Sequence, residues 1–422
     1  MIRMYQGKLI KYYRTRKGMT QKDLASGICS VSYLSKIENE TIEPSSDVLE
    51  LLSERLNISL DSQEESVETR QRILDWYTFI KDKDFEKASE EYDYLKDVCL
   101  ASGSQEIKNL FFIFEFGYLN VFQSNNKKLT FHYQQLEDMM DLFNNESLYY
   151  FYKFKSMYQY NKNDLLGALK SLQNAEEIYP NLDQYDLSLY YNLSVFYRRT
   201  YQLYKSLIYA EKSLQDAQNA IDYEMITNSQ ILISVNHIGV GEYQLAEKDL
   251  LKLKKQKKYL KPHTIATIFH NLGYIYYQWN HLEKAIEHLM IAVDNYKKNE
   301  DKVDSIYLLC LVYYTKKDIS QLRKSLSSGQ SLSEAINSQK FVFKFYILEN
   351  KLNKTTLDEG FIMKMEKEII PFFTNSGEHN EIMRHLKLLG DIYYEKRQYK
   401  KASEYYKQIH HFYTNTFRLE DY

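Results

Sequence analysis

The N-terminal end of the chain has a distinctive charge pattern. Seven Lys or Arg side chains and no acidic side chain fall within its first 22 residues. The 422-residue chain as a whole has 55 basic and 57 acidic residues, a formal charge of −2. Because a local excess of cations attracts phosphate groups, this end is a candidate nucleic-acid interface. The near-neutral total excludes a protein that coats nucleic acid with its whole surface.

A short helix predicted after residue 30 carries side chains that can contact bases. Leu34 and Ile37 are spaced to lie on its buried face, so polar residues occupy its other positions. The N-terminal residues of such a helix reach base edges in the major groove, and the preceding helix contacts phosphate. The predicted DNA-binding residues are Gln21, Ser30, Ser32, Tyr33 and Lys36.

A second set of polar and aromatic residues recurs later in the chain, on one face of successive predicted helices. Amides can pair with a peptide backbone, aromatic rings can pack against apolar side chains, and cations can hold a carboxylate. The predicted peptide-binding residues are Lys153, Asn161, Tyr191, Asn192, Arg198, Arg199, Asn228, His270, Asn271, Tyr274, Gln278 and Tyr307. A structural alternative stays open for them, because such Asn residues also brace helical repeats and most of the 40 Tyr must pack internally.

Motifs for catalysis, metal binding and membrane insertion are missing from the sequence. It contains no Gly-rich phosphate loop, no G-x-S-x-G motif and no metal triad. Cys29, Cys99 and Cys310 are far apart and lack metal-ligand spacing. No apolar run approaches the length of a membrane span. We expect a cytoplasmic protein that is not an enzyme, has no cofactor or metal and does not bind a membrane.

Helices must position both sets of residues. With only 13 Gly and 4 Pro, the composition favours long helices and predicts an all-α protein. A position suited to close helix crossing recurs about every 39 residues, which predicts about nine two-helix units. Its occupants are Ala88, Leu129, Ala168, Ser206, Ala246, Ala285, Leu322, Ile362 and Ala402. Because a crossing residue must be small, the units with Leu129, Leu322 and Ile362 are expected to be irregular.

Two resemblances follow from these motifs. Residues 7–60 resemble a Cro/repressor-type (XRE) helix-turn-helix domain, whose signature is T-Q-x-x-L-A followed by I-S-x-I-E. The later units resemble tetratricopeptide repeats, whose pattern is L-G-x-x-Y followed by a crossing Ala. The matching residues are Thr20, Gln21, Leu24 and Ala25, then Leu34, Ser35, Ile37 and Glu38, and in the clearest repeat Leu272, Gly273, Tyr274 and Ala285.

The combination resembles the RNPP family of peptide-pheromone-sensing regulators (Rap, NprR, PlcR and PrgX), with a unit count like that of NprR. The resemblance implies a helix-turn-helix domain over residues 1–60, a linker over 61–70, and a right-handed tetratricopeptide superhelix over 71–422 for peptide binding and oligomerisation. It implies a quorum-sensing transcription regulator whose partners are a double-stranded DNA operator, a short signalling peptide, and copies of itself in a homodimer or higher oligomer. Two alternatives are a phosphorelay modulator that binds a response regulator and a peptide-responsive regulator of phage lysis and lysogeny.

Overall fold

The all-α fold class is confirmed. A computed structural model describes residues 6–39, 41–42, 44–56, 64–123, 127–182, 186–376 and 378–417, and no strand occurs in these ranges. A helix-turn-helix comes first, and helix pairs of the tetratricopeptide type follow it. None of the described helices combines the length and the apolar character needed to cross a membrane.

The N-terminal helices form a small domain-like cluster. They are α1 (Gln6–Arg16), α2 (Gln21–Ala25), α3 (Val31–Glu38) and α4 (Ser46–Leu56). Thr20 and Asp23 form the predicted capping box, in which the Thr20 hydroxyl accepts from the Asp23 backbone N–H at 3.1 Å. The fully buried side chains of Ile10, Leu34 and Leu52 hold α1, α3 and α4 around one core. The packing of this core therefore determines which face of α3 is exposed to solvent.

Within the described residues, the rest of the chain forms nine helix pairs. The first helices are α5 (Glu64–Asp82), α7 (Gln105–Phe122), α9 (Asn145–Asn161), α11 (Ser188–Arg199), α13 (Tyr223–Gly239), α15 (Pro262–Gln278), α17 (Asn299–Lys316), α19 (Gln339–Asn353) and α22 (His379–Glu395). The second helices are α6 (Phe85–Ala101), α8 (Lys127–Asp138), α10 (Leu165–Ile178), α12 (Leu203–Asn219), α14 (Tyr243–Lys255), α16 (Leu282–Asn295), α18 (Ile319–Ala335), α20 (Glu359–Lys364) with α21 (Ile370–Asn375), and α23 (Tyr399–Phe417).

The predicted crossing residues lie in the second helices and are all buried, with at most 2% of any side chain exposed. The expected irregularity is confirmed near Ile362, where a π-helical turn over Met365–Ile369 separates α20 from α21. The expectation of irregularity was wrong for the unit that contains Leu322, because its helices α17 and α18 are both uninterrupted. Leu322 of α18 and Cys310 of α17 are both fully buried in the same hydrophobic core.

Residue contacts divide the chain into two compact units, Met1–Leu189 (unit 1) and Tyr190–Tyr422 (unit 2). Unit 1 therefore contains the helix-turn-helix together with the first helix pairs, and the Tyr13 hydroxyl donates to Gln105 Oε1 at 2.7 Å within it. Residues 64–70 of the predicted linker form the start of α5, and residues 61–63 lie outside the described residues. The domain limits at residues 60 and 70 stay predictions.

The close helix crossing can be tested at Gly273. A Cβ atom there would lie 2.6 Å from Leu289 Cγ, and Leu289 is fully buried. We expect Gly273→Ala to lower the free energy of unfolding by about 1–3 kcal/mol, because the overpacked side chain has no room to move. Gly360→Ala is the matched control, since nothing lies within 4 Å of a Cβ at that helical position. Urea unfolding followed by circular dichroism measures both, and equal stability of the two variants would contradict the packing.

Candidate functional site

The exposed face of α3 carries part of the predicted DNA-binding set. Ser32 and Lys36 are both exposed and lie one helical turn apart, so they share a face. Tyr33 is half-buried and packs partly against the N-terminal core. Ser30 is the N-cap of α3, and its hydroxyl accepts from the Tyr33 backbone N–H at 3.1 Å. Ser32 and Lys36 are thus presented to solvent, whereas Ser30 and Tyr33 also support the helix.

Gln21 belongs to a buried charge network that joins α1, α2 and α3. Its Nε2 donates to Glu38 Oε2 at 2.7 Å, and Arg14 binds both oxygens of the same carboxylate at 2.6 and 3.0 Å. Arg14 Nη1 also donates to the backbone oxygen of Met19 at 2.8 Å. Glu38 is only 2% exposed, and its hydrogen bond raises the pKa of the Arg14 guanidinium. The network orients Gln21 at the start of α2 and holds α3 against α1.

Removal of Glu38 should weaken the N-terminal cluster. The Glu38→Ala variant leaves the largely buried Arg14 guanidinium without its carboxylate, which costs about 3–5 kcal/mol for a buried pair. Hydrogen exchange should show faster exchange in α1, α2 and α3, with α5 onward unchanged. Glu54→Ala, at an exposed position of α4, should stay within about 0.5 kcal/mol of the parent protein. Unchanged exchange in the Glu38→Ala protein would contradict a stabilising network.

Two predicted peptide-binding residues lie in unit 1. Lys153 on α9 is buried and forms an ion pair with Asp186, and its ammonium lies 4.7 Å from the centre of the Tyr77 ring. Although burial opposes the shift, the Asp186 charge raises the pKa of Lys153. The ammonium therefore stays charged, and Asp186 compensates its charge inside the protein. Asn161 is exposed, and its Nδ2 donates to Asn120 Oδ1 at 3.0 Å.

Unit 2 brings three of the predicted residues into one charged cluster on α15, α17, α19 and α22. His270 Nδ1 lies 2.8 Å from Ser305 Oγ, and His270 Nε2 lies 3.7 Å from Asp304. The Lys344 ammonium lies 4.3 Å from the ring centre of Tyr307, the second predicted member. The third, Tyr274, is half-buried on α15, one helical turn after His270. Hereafter we call the set His270, Tyr274, Asp304, Tyr307, Lys344, Glu381 and Arg384 the inner cluster.

Glu381 joins the two cations of the inner cluster. It accepts from Lys344 at 3.2 Å, and Arg384 Nη1 lies 3.5 Å from the same oxygen. Lys344 and Glu381 are buried, whereas Arg384 is largely exposed. Burial opposes ionisation of Glu381, but Lys344 and then Arg384 hold the pKa of its carboxyl below the usual value. His385 lies 3.8 Å from Glu381, and burial lowers its pKa to about 4. The imidazole is therefore neutral near pH 7.

The other predicted residues of unit 2 are distributed over three helices. Tyr191, Asn192 and Arg198 are half-buried on α11, as Asn228 is on α13, and Arg199 is exposed. Asn271 on α15 bonds its own helix, with Nδ2 donating to the Thr267 oxygen at 2.8 Å, which agrees with the bracing alternative. Gln278 is exposed at the end of α15.

Four members of the inner cluster were not predicted from the sequence: Asp304, Lys344, Glu381 and Arg384. The repeat itself contains a pattern that finds one of them. His270, Tyr307 and Lys344 follow one another at steps of 37 residues, on α15, α17 and α19. One more step of the same length after Tyr307 predicts Lys344. The repeat pattern is weak around Ile362, so this third position was not recognised from the sequence.

The chain is similar to known proteins in both of its parts. Residues 10–63 match the family model described as Helix-turn-helix. The chain is 27% identical to the Transcriptional activator NprA of Geobacillus stearothermophilus over 412 residues, which cover 94% of this chain and all of that protein. It is 27% identical to Response regulator aspartate phosphatase I of Bacillus subtilis over 213 residues, covering 48% of this chain and 53% of that protein.

Among solved structures, the crystal structure of NprR in complex with its cognate peptide NprX aligns with a TM-score of 0.64. The alignment covers 83% of this chain and 98% of that one at 18% identity. At 18% identity, this structural similarity shows that the two proteins share a fold.

Proposed function

Because the chain belongs to the RNPP family of peptide-sensing regulators, we propose that it is a cytoplasmic quorum-sensing transcription regulator. It binds a short signalling peptide in unit 2 and double-stranded DNA through α3. The observation that supports this function is the presence in one chain of an exposed polar face on a helix-turn-helix and of an inner cluster with alternating charges and phenols. NprA is named a transcriptional activator, and NprR forms a complex with a peptide.

The chemistry of the inner cluster suits a peptide. Phenols and the aliphatic part of Lys344 offer apolar contact, and charged groups on three helices offer hydrogen bonds to both peptide termini and to polar side chains. For DNA, one α3 reads only a few base pairs, so a homodimer or higher oligomer would present two copies to a palindromic operator. A peptide that binds two assemblies with different affinity shifts their populations, and DNA binding changes with them.

The phosphorelay alternative is supported by the similarity to Response regulator aspartate phosphatase I. That similarity covers about half of either protein. A response regulator is therefore a second candidate partner. This role and DNA binding are compatible within one chain.

Sequencing of genomic DNA fragments retained by the full-length protein tests the proposal, with and without a peptide extract of spent culture medium. We expect a palindromic motif whose retention changes with the extract. Lys36→Met should weaken binding and reduce the slope of log affinity against log salt by about 0.9 for one lost phosphate contact. Lys81→Met removes one exposed charge from α5 and should leave both quantities unchanged.

Retention without any motif, in both conditions, would contradict DNA recognition by α3. In that case a prolonged or shortened lifetime of a response regulator's aspartyl phosphate, measured in the presence of the protein, would support the phosphorelay role instead.

A further inference from the structure

A groove with a volume of about 740 Å³ lies along α14 and the turn that follows it. Its lining contains one acidic residue, Glu247, and one apolar residue, Leu251. Glu247 accepts a hydrogen bond from the Tyr276 hydroxyl at 2.8 Å, so the protein itself engages this carboxylate. We call the whole lining the basic groove, because its other members are Lys248, Lys252, Lys254, Lys255 and Lys257.

Lys254 is half-buried in the basic groove and forms no ion pair with any residue that the structure describes. Its ammonium donates to Nε2 of His288 at 3.1 Å and lies 5.0 Å from the centre of the Phe269 ring. His288 donates from Nδ1 to the Lys284 backbone oxygen at 2.9 Å, which leaves Nε2 as an acceptor. Burial lowers the pKa of His288, so the imidazole is neutral near pH 7. An ammonium with a neutral partner keeps its whole charge and favours an anion in the groove.

The remaining lysines add to this charge. Lys252 pairs with Asp249 at 2.9 Å, whereas Lys248, Lys255 and Lys257 are exposed and pair with no carboxylate in the described ranges. Cations in the last turn of a helix offset its dipole, but that dipole amounts to only about half an elementary charge. Lys248 also lies in the first half of α14, outside the reach of this effect. The charge of the basic groove therefore exceeds what α14 itself requires.

Three large side chains with apolar surface are exposed beside the basic groove. Tyr259 ends the short 3₁₀ turn that begins with the groove residue Lys257. Glu224 binds Lys261 through both carboxylate oxygens, at 2.7 and 2.8 Å, so the start of α13 lies beside the chain that follows Tyr259. We call the three side chains the apolar edge: Ile221, Tyr223 and Tyr259, which are 68%, 76% and 84% exposed.

Ile221 has a backbone conformation that does not suit its side chain. Its φ of +57° lies in the left-handed region, where a β-branched residue is strained. In the turn between α18 and α19 the same region is occupied by Asn337, a residue type that tolerates it. Ile221 gains no burial in return, since its side chain is largely exposed. The fold therefore does not account for an Ile at this position, whereas an apolar contact with a partner does.

We propose that the basic groove and the apolar edge form a docking surface for another protein, whose docked segment carries Asp or Glu side chains around an apolar side chain. The acidic groups match the lysines, and the apolar group packs against Ile221, Tyr223 and Tyr259. Nucleic acid also carries negative charge, and its bases stack on Tyr, but it offers no complement to an exposed and strained Ile. The surface shares no residue with the inner cluster, so the inference does not depend on peptide binding there.

Synthetic dodecapeptides of defined charge test this assignment. Their termini are blocked, they carry zero, three or six Glu, and their central residue is either Leu or Ser. Fluorescence anisotropy gives their affinities for the full-length protein, and hydrogen exchange locates the bound region. We expect affinity to rise with the number of Glu and with Leu, and to fall as salt is added. Bound peptide should slow exchange in α14 and in residues 256–261.

Two double variants test the contribution of charge. Lys248→Gln with Lys255→Gln should weaken binding of the peptide with six Glu about 10-fold, because two exposed cations of the groove are lost. Lys324→Gln with Lys400→Gln is the matched control, since it removes the same charge from exposed positions of α18 and α23. The control should keep the affinity of the parent protein. Circular dichroism confirms that both variants are folded.

The Ile221→Asn variant separates binding from folding. Because Asn tolerates the left-handed region, we expect the midpoint of thermal unfolding to rise by about 2–4 °C. The affinity for peptides with a central Leu should fall to that for peptides with a central Ser. Ile319→Asn, at the exposed first position of α18, should leave affinity unchanged. A merely structural role for Ile221 would not move the two quantities in opposite directions.

Three results would overturn the inference: affinity that does not depend on the number of Glu, equal affinity of the parent protein and the Lys248→Gln, Lys255→Gln variant, or no binding of any peptide. Duplex and single-stranded oligonucleotides serve as the alternative probes. If they bind more tightly than every peptide and lose affinity in the same double variant, the surface is a nucleic-acid site and the proposed protein partner is wrong.

Discussion

The close approach of the two helices within each repeat governs the placement of the side chains on both of them. At every predicted crossing the residue on the second helix is buried, and at Gly273 even one additional methyl group would collide with Leu289. This packing fixes the rotation of each first helix about its axis. Residues spaced by about one repeat length, such as His270, Tyr307 and Lys344, therefore come together on neighbouring helices. A site is assembled from residues that are far apart in sequence.

Cations that are largely removed from water are matched by carboxylates in both units. In unit 1 the buried cations are matched: Arg14 by Glu38, and Lys153 by Asp186. In unit 2, the buried Lys344 is matched by Glu381. A matched pair supports the fold, since loss of either partner exposes the other to an apolar surrounding.

Most of the architecture could be predicted from the sequence, because the crossing residue and the capping box are local patterns with strict steric requirements. The sites were harder to predict. Lys153 has the composition expected of a ligand contact, but its partner Asp186 lies 33 residues away and no spacing rule joins them. Ser30 and Gln21 similarly have polar groups that the structure engages internally. Lys344 and Arg384 were missed because the repeat pattern weakens where the π-helical turn interrupts the second helix.

We propose that peptide binding and DNA binding are coupled in one molecule. The most direct measurement is the affinity of the full-length protein for its retained DNA motif with and without saturating signalling peptide, together with the affinity for the peptide with and without the DNA. Thermodynamic linkage requires the two affinities to change by the same factor. We predict an equal change of about 5- to 150-fold in both titrations. Affinities that stay unchanged in both would contradict the account, because the two sites would then act independently.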